Sequence, residues 1–183
     1  MKRKAPPIIL IMCLLCTASI FAQRRGNLAS SVGVSGGYVE DGFAAMGTFN
    51  FHPNRFKYFQ ISVLAAFAED RGTQDIPYNV FTIQPGLMYR LYISRIKTFS
   101  VHAGGGGLFG YEVINNGSNE LPNGAIIDGR SQFIYGAWIG AEAEFALGDD
   151  FSLLIKANEY YHVNSDVGNF YPYAGVGIRY FLF

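Results

Sequence analysis

From Leu28 onward the chain alternates between apolar and polar or small positions. Between Gln132 and Leu147, one parity holds Phe133, Tyr135, Ala137, Ile139, Ala141, Ala143, Phe145 and Leu147. The other holds Gln132, Ile134, Gly136, Trp138, Gly140, Glu142 and Glu144. A period of two marks an extended strand whose two faces meet different surroundings. The same alternation predicts eight strands, over residues 29–39, 43–51, 58–68, 79–92, 99–113, 131–147, 151–162 and 171–182. An even number of strands permits an up-and-down closed barrel, and no helical stripe of useful length interrupts the series.

The chemistry of the two faces selects the kind of barrel. Phe59, Ile61, Val63, Ala65 and Phe67 continue the apolar face in the third strand, and Val176, Ile178, Tyr180 and Leu182 in the eighth. Opposite them stand Gln60 and Ser62, then Gly175, Gly177 and Arg179, with Thr82, Gln84, Gly86 and Arg90 in the fourth strand. A soluble barrel or sandwich turns its bulky apolar face inward, whereas a membrane barrel turns it toward lipid. Strands of ~10 or more residues suit a tilted bilayer crossing, and the glycine run Gly104–Gly107 suits a narrow, filled lumen. Aromatic residues form 16% of the chain and gather toward strand ends, where a membrane barrel carries its girdles. The fold predicted is all-β, an eight-stranded up-and-down antiparallel transmembrane β-barrel of outer-membrane type. A soluble β-sandwich or lipocalin-like barrel is the alternative. Loop lengths agree in part: residues 52–57, 93–98 and 148–150 form short turns, and the long connections are predicted at 69–78 and 115–130.

Composition adds an address. Lys2, Arg3 and Lys4 precede an apolar run, Ile8 to Phe21, which ends at Ala22. This is the layout of a secretory signal peptide over residues 1–22, leaving a single β-barrel domain over 23–183. Both cysteines, Cys13 and Cys16, lie in that segment, so the mature chain is expected to have no disulfide and no thiolate metal site. Acidic and basic residues balance at 14 each, giving no basic excess for sequence-independent nucleic-acid binding.

Glu142 and Glu144 raise the first chemical question, because paired carboxylates on one face can act as acid and base. A tight turn over 148–150 places Leu147 opposite Phe151, and so Glu142 opposite Lys156. That register predicts a lumen charge network of Glu142, Glu144 and Lys156, which Arg179 and Arg90 can join from their own inner faces. A second candidate is His162 with Ser165, and Glu159 or Asp166 as the orienting acid of a hydrolase. This set is similar to the His/Ser pair of outer-membrane lipid A deacylases, although His-Val-Asn-Ser replaces that family's closer spacing. His52 and His102 are isolated from each other in sequence and support no metal site. The stretch GGGGLFG lacks the lysine of a phosphate-binding loop. No cofactor and no small-molecule substrate is indicated.

Several segments carry a family resemblance: Gly37–Phe43, Leu121-Pro122-Asn123-Gly124, Phe133-Ile134-Tyr135-Gly136, and Tyr161 to Asp166 with Gly168. Together they resemble the TraO family of conjugative transposons of Bacteroidetes. The resemblance implies a part in the cell-envelope machinery that transfers the mobile element; with the barrel reading it becomes a non-enzymatic outer-membrane component with membrane lipid and other apparatus proteins as partners, and a lumen too narrow for DNA gives no direct contact with nucleic acid. It supplies no catalytic residues. A lipid A deacylase-like hydrolase or a general structural or adhesion barrel are the alternatives.

Overall fold

A β-sheet leaves unpaired backbone groups along its two edge strands, and in hydrocarbon those groups find no water. Closure removes the edges. In the computed structural model, which describes residues 30–71, 75–118, 130–166 and 168–182, eight antiparallel strands pair in chain order and the first meets the last. They are β1 (Ser30–Val39), β2 (Gly42–Phe51), β3 (Lys57–Arg71), β4 (Asp75–Ile93), β5 (Phe99–Ile114), β6 (Gln132–Ala146), β7 (Phe151–His162) and β8 (Phe170–Leu182). The closing ladder runs from Ser30↔Leu182 to Val39↔Tyr173. The segment 1–22 and the tetrad 121–124 lie outside the described residues.

The apolar face points out. Val34, Val176 and Ile139 are 69%, 60% and 68% exposed, while Ser62, Ser152 and Arg179 on inner positions are fully buried. In water such a surface would be a very large aggregation-prone patch; in a bilayer it is the solvated side, and the chain is a transmembrane barrel of outer-membrane type. Two sets of touching aromatics bound the band. Tyr92–Phe99, Phe99–Phe145 and Phe151–Tyr180 lie toward the end that carries the first and last strand termini. Tyr38–Phe43, Tyr111–Phe133 and Tyr161–Phe170 lie toward the other, the loop end.

Three sequence expectations need correction. Residues 69–78 are no long loop, because the β3–β4 ladder continues through Ala68↔Tyr78, Glu69↔Pro77 and Asp70↔Ile76 to Arg71↔Asp75. Charged residues and Pro77 break the apolar alternation there, but beyond the lipid band a strand needs only its ladder and no apolar face. Second, the lumen is not small and polar throughout. Toward the loop end it holds a buried cluster that includes Tyr78, Leu108, Ile134, Trp138, Tyr160 and Tyr173, since an eight-stranded interior must be filled by side chains. Third, β4 does not alternate to its end: the register shifts between Arg90 and Tyr92, so Leu91 and Tyr92 are both exposed.

Glycine makes this filling possible. A Cβ on Gly86 would press into the indole of Trp138 and lie 2.8 Å from Gly105 O, so the ring occupies the space the missing side chain leaves. Trp138 Nε1 donates to Pro85 O at 3.3 Å, which satisfies its buried N–H.

Candidate functional site

The charged half of the lumen lies toward the terminal end and is built from inward positions of six strands. The tight turn after β6, closed by Leu147 N donating to Phe151 O at 2.9 Å, sets the β6–β7 register. Glu142 thereby stands opposite Lys156, and Lys156 Nζ lies 2.8 Å from Glu142 Oε2. Arg179, from β8, is the hub. Its Nη2 lies 2.8 Å from Glu142 Oε1 and 2.9 Å from Oε2, and its Nη1 lies 2.8 Å from Glu144 Oε2. Two carboxylates thus face two cations, which limits the cost of burying each charge.

Neutral groups complete the cluster. Tyr58 Oη donates to Glu142 Oε1 at 3.0 Å, and its ring lies 5.1 Å from the Arg179 guanidinium carbon. Ser152 Oγ donates to Glu144 Oε1 at 2.7 Å. Arg90 reaches the cluster through His102, with its Nε 3.4 Å from His102 Nε2. His102 Nδ1 lies 3.9 Å from Glu142 Oε1. Tyr58, Ser152 and His102 were absent from the sequence-based set, though each sits on an inward parity. With these oxygens committed to Arg179, Lys156, Tyr58 and Ser152, the carboxylate pair offers no free base to a substrate. His102, Glu142 and Glu144 bring ligand atoms within 4.8 Å of one another, but an ion there would have to displace both cations.

His52 extends the cluster toward the terminal mouth from the turn after β2. Its Nε2 lies 3.0 Å from Ser31 Oγ, and its ring centroid is 5.0 Å from that of Tyr58. The two histidines that are distant in sequence therefore flank one tyrosine, since Tyr58 and His102 also meet edge to face at 5.3 Å. Burial, then the Arg179 charge, push the His52 imidazole down from 6.5 to about 4. An unfolded chain binds this proton near 6.5 and the folded one only near 4, so the neutral ring contributes stability above 6.5 that is lost as pH falls toward 4. The temperature at which the barrel loses its compact form on SDS gels should fall between about pH 7 and pH 4.5, and fall less in His52→Asn; equal pH slopes would refute this.

At the loop end, His162 and Ser165 line a cavity of about 130 Å³. Ser165 Oγ donates to Glu112 Oε2 at 2.5 Å, while the His162 ring packs 5.7 Å from Tyr171 and 6.5 Å from Tyr160, centroid to centroid. The serine thus engages a carboxylate that sequence reasoning missed. Glu159 cannot orient His162: three residues away on one strand it points to the opposite, lipid-facing side, beside Ile139 and Pro172. Asp166 Oδ2 accepts from the Arg130 backbone N–H at 3.1 Å.

A larger cavity, about 690 Å³, opens at the terminal mouth beneath the turns after β2 and β4. Arg55, Arg90 and Lys97 contribute to its wall, as do Phe56, Phe99 and Phe181.

The family model described as conjugative transposon protein TraO matches residues 26–182, nearly the whole chain. No curated protein matches it. Among solved structures, neisserial surface protein A aligns with a TM-score of 0.61 at 10% identity, over 87% of this chain and 100% of that one. Ail, the attachment invasion locus protein of Yersinia pestis, aligns at 0.55 and 12%, over 87% and 100%. A major outer membrane protein from Thermus thermophilus aligns at 0.55 and 14%, over 84% and 100%. These are outer-membrane barrels, and at such identities the likeness is one of fold.

Proposed function

The chain belongs to the conjugative transposon protein TraO family, and on that premise we propose that it is a non-enzymatic outer-membrane component of the transfer apparatus, acting through contacts of its loops and rim. Residues 1–22 direct export and are cleaved, and 23–183 insert with both termini toward the periplasm. Membrane lipid surrounds the barrel, and other proteins of the apparatus are its partners.

The observation that carries this reading is a filled lumen in a member of a transfer family. Trp138, Tyr160 and Arg179 are each at most 2% exposed, and side chains of that size leave no route for a DNA strand. What such a barrel can supply is anchorage in the membrane and a rigid rim for docking. The Ser165–Glu112 contact and the outward Glu159 give no support to hydrolysis.

Deleting the gene from a donor should abolish mating while excision of the element continues, and a plasmid copy should restore transfer. Normal transfer by the deletion strain would leave a general structural or adhesion barrel as the better reading.

A further inference from the structure

The lipid-facing belt is uneven. On β3 and β4 it is bulky, with Phe59, Ile61, Val63, Phe67, Phe81 and Ile83 all exposed. Across β5 to β8 it falls away. Strand pairing sets Ala103 opposite Ala141, Ala141 opposite Ala157 and Ala157 opposite Ala174, an outward row of four alanines that ends at Tyr38, the β1 partner of Ala174. At the spacing of neighbouring strands the row is about 14 Å long. It borders a groove of about 1050 Å³, which Tyr38, Ile139 and Phe170 wall in. An acyl chain fits such a recess, but the alanines alone would not select among lipids.

Charge supplies the selection. Glu159 follows Ala157 by one outward step along β7, toward the loop end, and Glu40 from the β1–β2 turn lines the same groove. Tyr161, one outward step further, meets Phe170 in the loop-end girdle, so Glu159 stands near head-group depth and the alanine row lies deeper. Ionisable side chains on a lipid-facing strand are costly unless something meets them. Among the described residues neither carboxylate is held by a hydrogen bond or an ion pair, and no lysine, arginine or histidine lines the groove. Two carboxylates thus wait at the shallow end of an apolar recess for a cation that the barrel does not provide.

We propose that this groove binds a lipid with a primary-ammonium head group, its head at Glu159 and Glu40 and one chain along the alanine row. A primary ammonium donates three hydrogen bonds, and its bonds to carboxylates are charge-assisted. A quaternary ammonium has no N–H to donate, and an anionic head group meets like charge. A second copy packed on this face about a two-fold axis would oppose its own Glu159 and Glu40 to these. The site depends on the barrel's place in lipid and not on a role in transfer.

The test uses the purified barrel in non-ionic detergent with an equal mixture of phosphatidylethanolamine, phosphatidylcholine and phosphatidylglycerol of one acyl composition, read as retained lipid by native mass spectrometry. The expected result is a preference of about tenfold for phosphatidylethanolamine, lost in the double variant Glu159→Gln with Glu40→Gln. Ala157→Phe should fill the groove and lower phosphatidylethanolamine retention by a similar factor. Ala157 and Glu159 face outward and Glu40 lies on a turn, so these variants should keep the wild-type heat-dependent gel shift, which checks that they are folded. The proposal is overturned if no lipid is retained, if phosphatidylcholine is retained as well as phosphatidylethanolamine, or if the double variant keeps the preference. It is also overturned if phosphatidylglycerol prevails once calcium is added, which would assign the carboxylates to a metal-bridged anionic lipid. A dimer that Ala157→Phe converts to monomer would overturn it in favour of a second copy. Each of these outcomes leaves the deletion test of transfer unaffected.

Discussion

Replacing Arg179 with methionine should make the barrel lose its heat resistance in SDS, unfolding at temperatures the wild type survives. Arg179 pairs with both Glu142 and Glu144, and it is fully buried. Without it Glu142 retains Lys156 and Tyr58, while Glu144 loses its ion pair with the guanidinium and keeps the Ser152 hydroxyl bond. Removing one partner from a buried ion pair costs about 3–5 kcal/mol, mostly because the surviving charge has lost its compensation. Adding Glu144→Gln should therefore recover much of the loss, and the non-additivity measures the coupling. If the double variant is as unstable as the sum of the two single ones, the guanidinium is acting as packing and not as a counter-charge.

Gly86→Val should expel Trp138 from the lumen wall. The indole occupies the position of the absent side chain, and backbone Gly105 O at 2.8 Å from the added Cβ closes the other direction. Overpacking of this kind costs about 1–3 kcal/mol, and more where backbone cannot yield. Trp138 is the chain's single tryptophan, so its emission should shift to longer wavelength as the ring meets water or lipid headgroups. The smaller core of Gly86→Val with Trp138→Leu should regain heat resistance. An unshifted spectrum in the single variant would mean that the wall deforms and the ring stays.

The two faces were legible because lipid and lumen impose different chemistry on successive residues, and a strand records the difference with period two. The position of Lys156 opposite Glu142 could be derived because the turn between their strands is too short to allow another register. His102 is also opposite Glu142, yet the β5–β6 connection is long and carries no register information, so this neighbour could not be read. The same holds for Tyr58, which reaches Glu142 from across the barrel. Glu159 is a different case: three residues along one strand put it on the face opposite His162, so residue types suited to a hydrolase do not converge there. The apolar cluster around Trp138 escaped because alternation reports contrast between faces, and around Ile134 and Trp138 both faces of β6 are apolar.

The unequal halves of the lumen make the barrel a cup more than a pipe. A solute entering at the terminal mouth meets polar and charged side chains first. Beyond Glu142 lie Trp138, Tyr160 and Tyr173, which with Asn158 and Gln84 fill the bore. Such a barrel holds its two compartments apart with its own side chains and needs no separate plug.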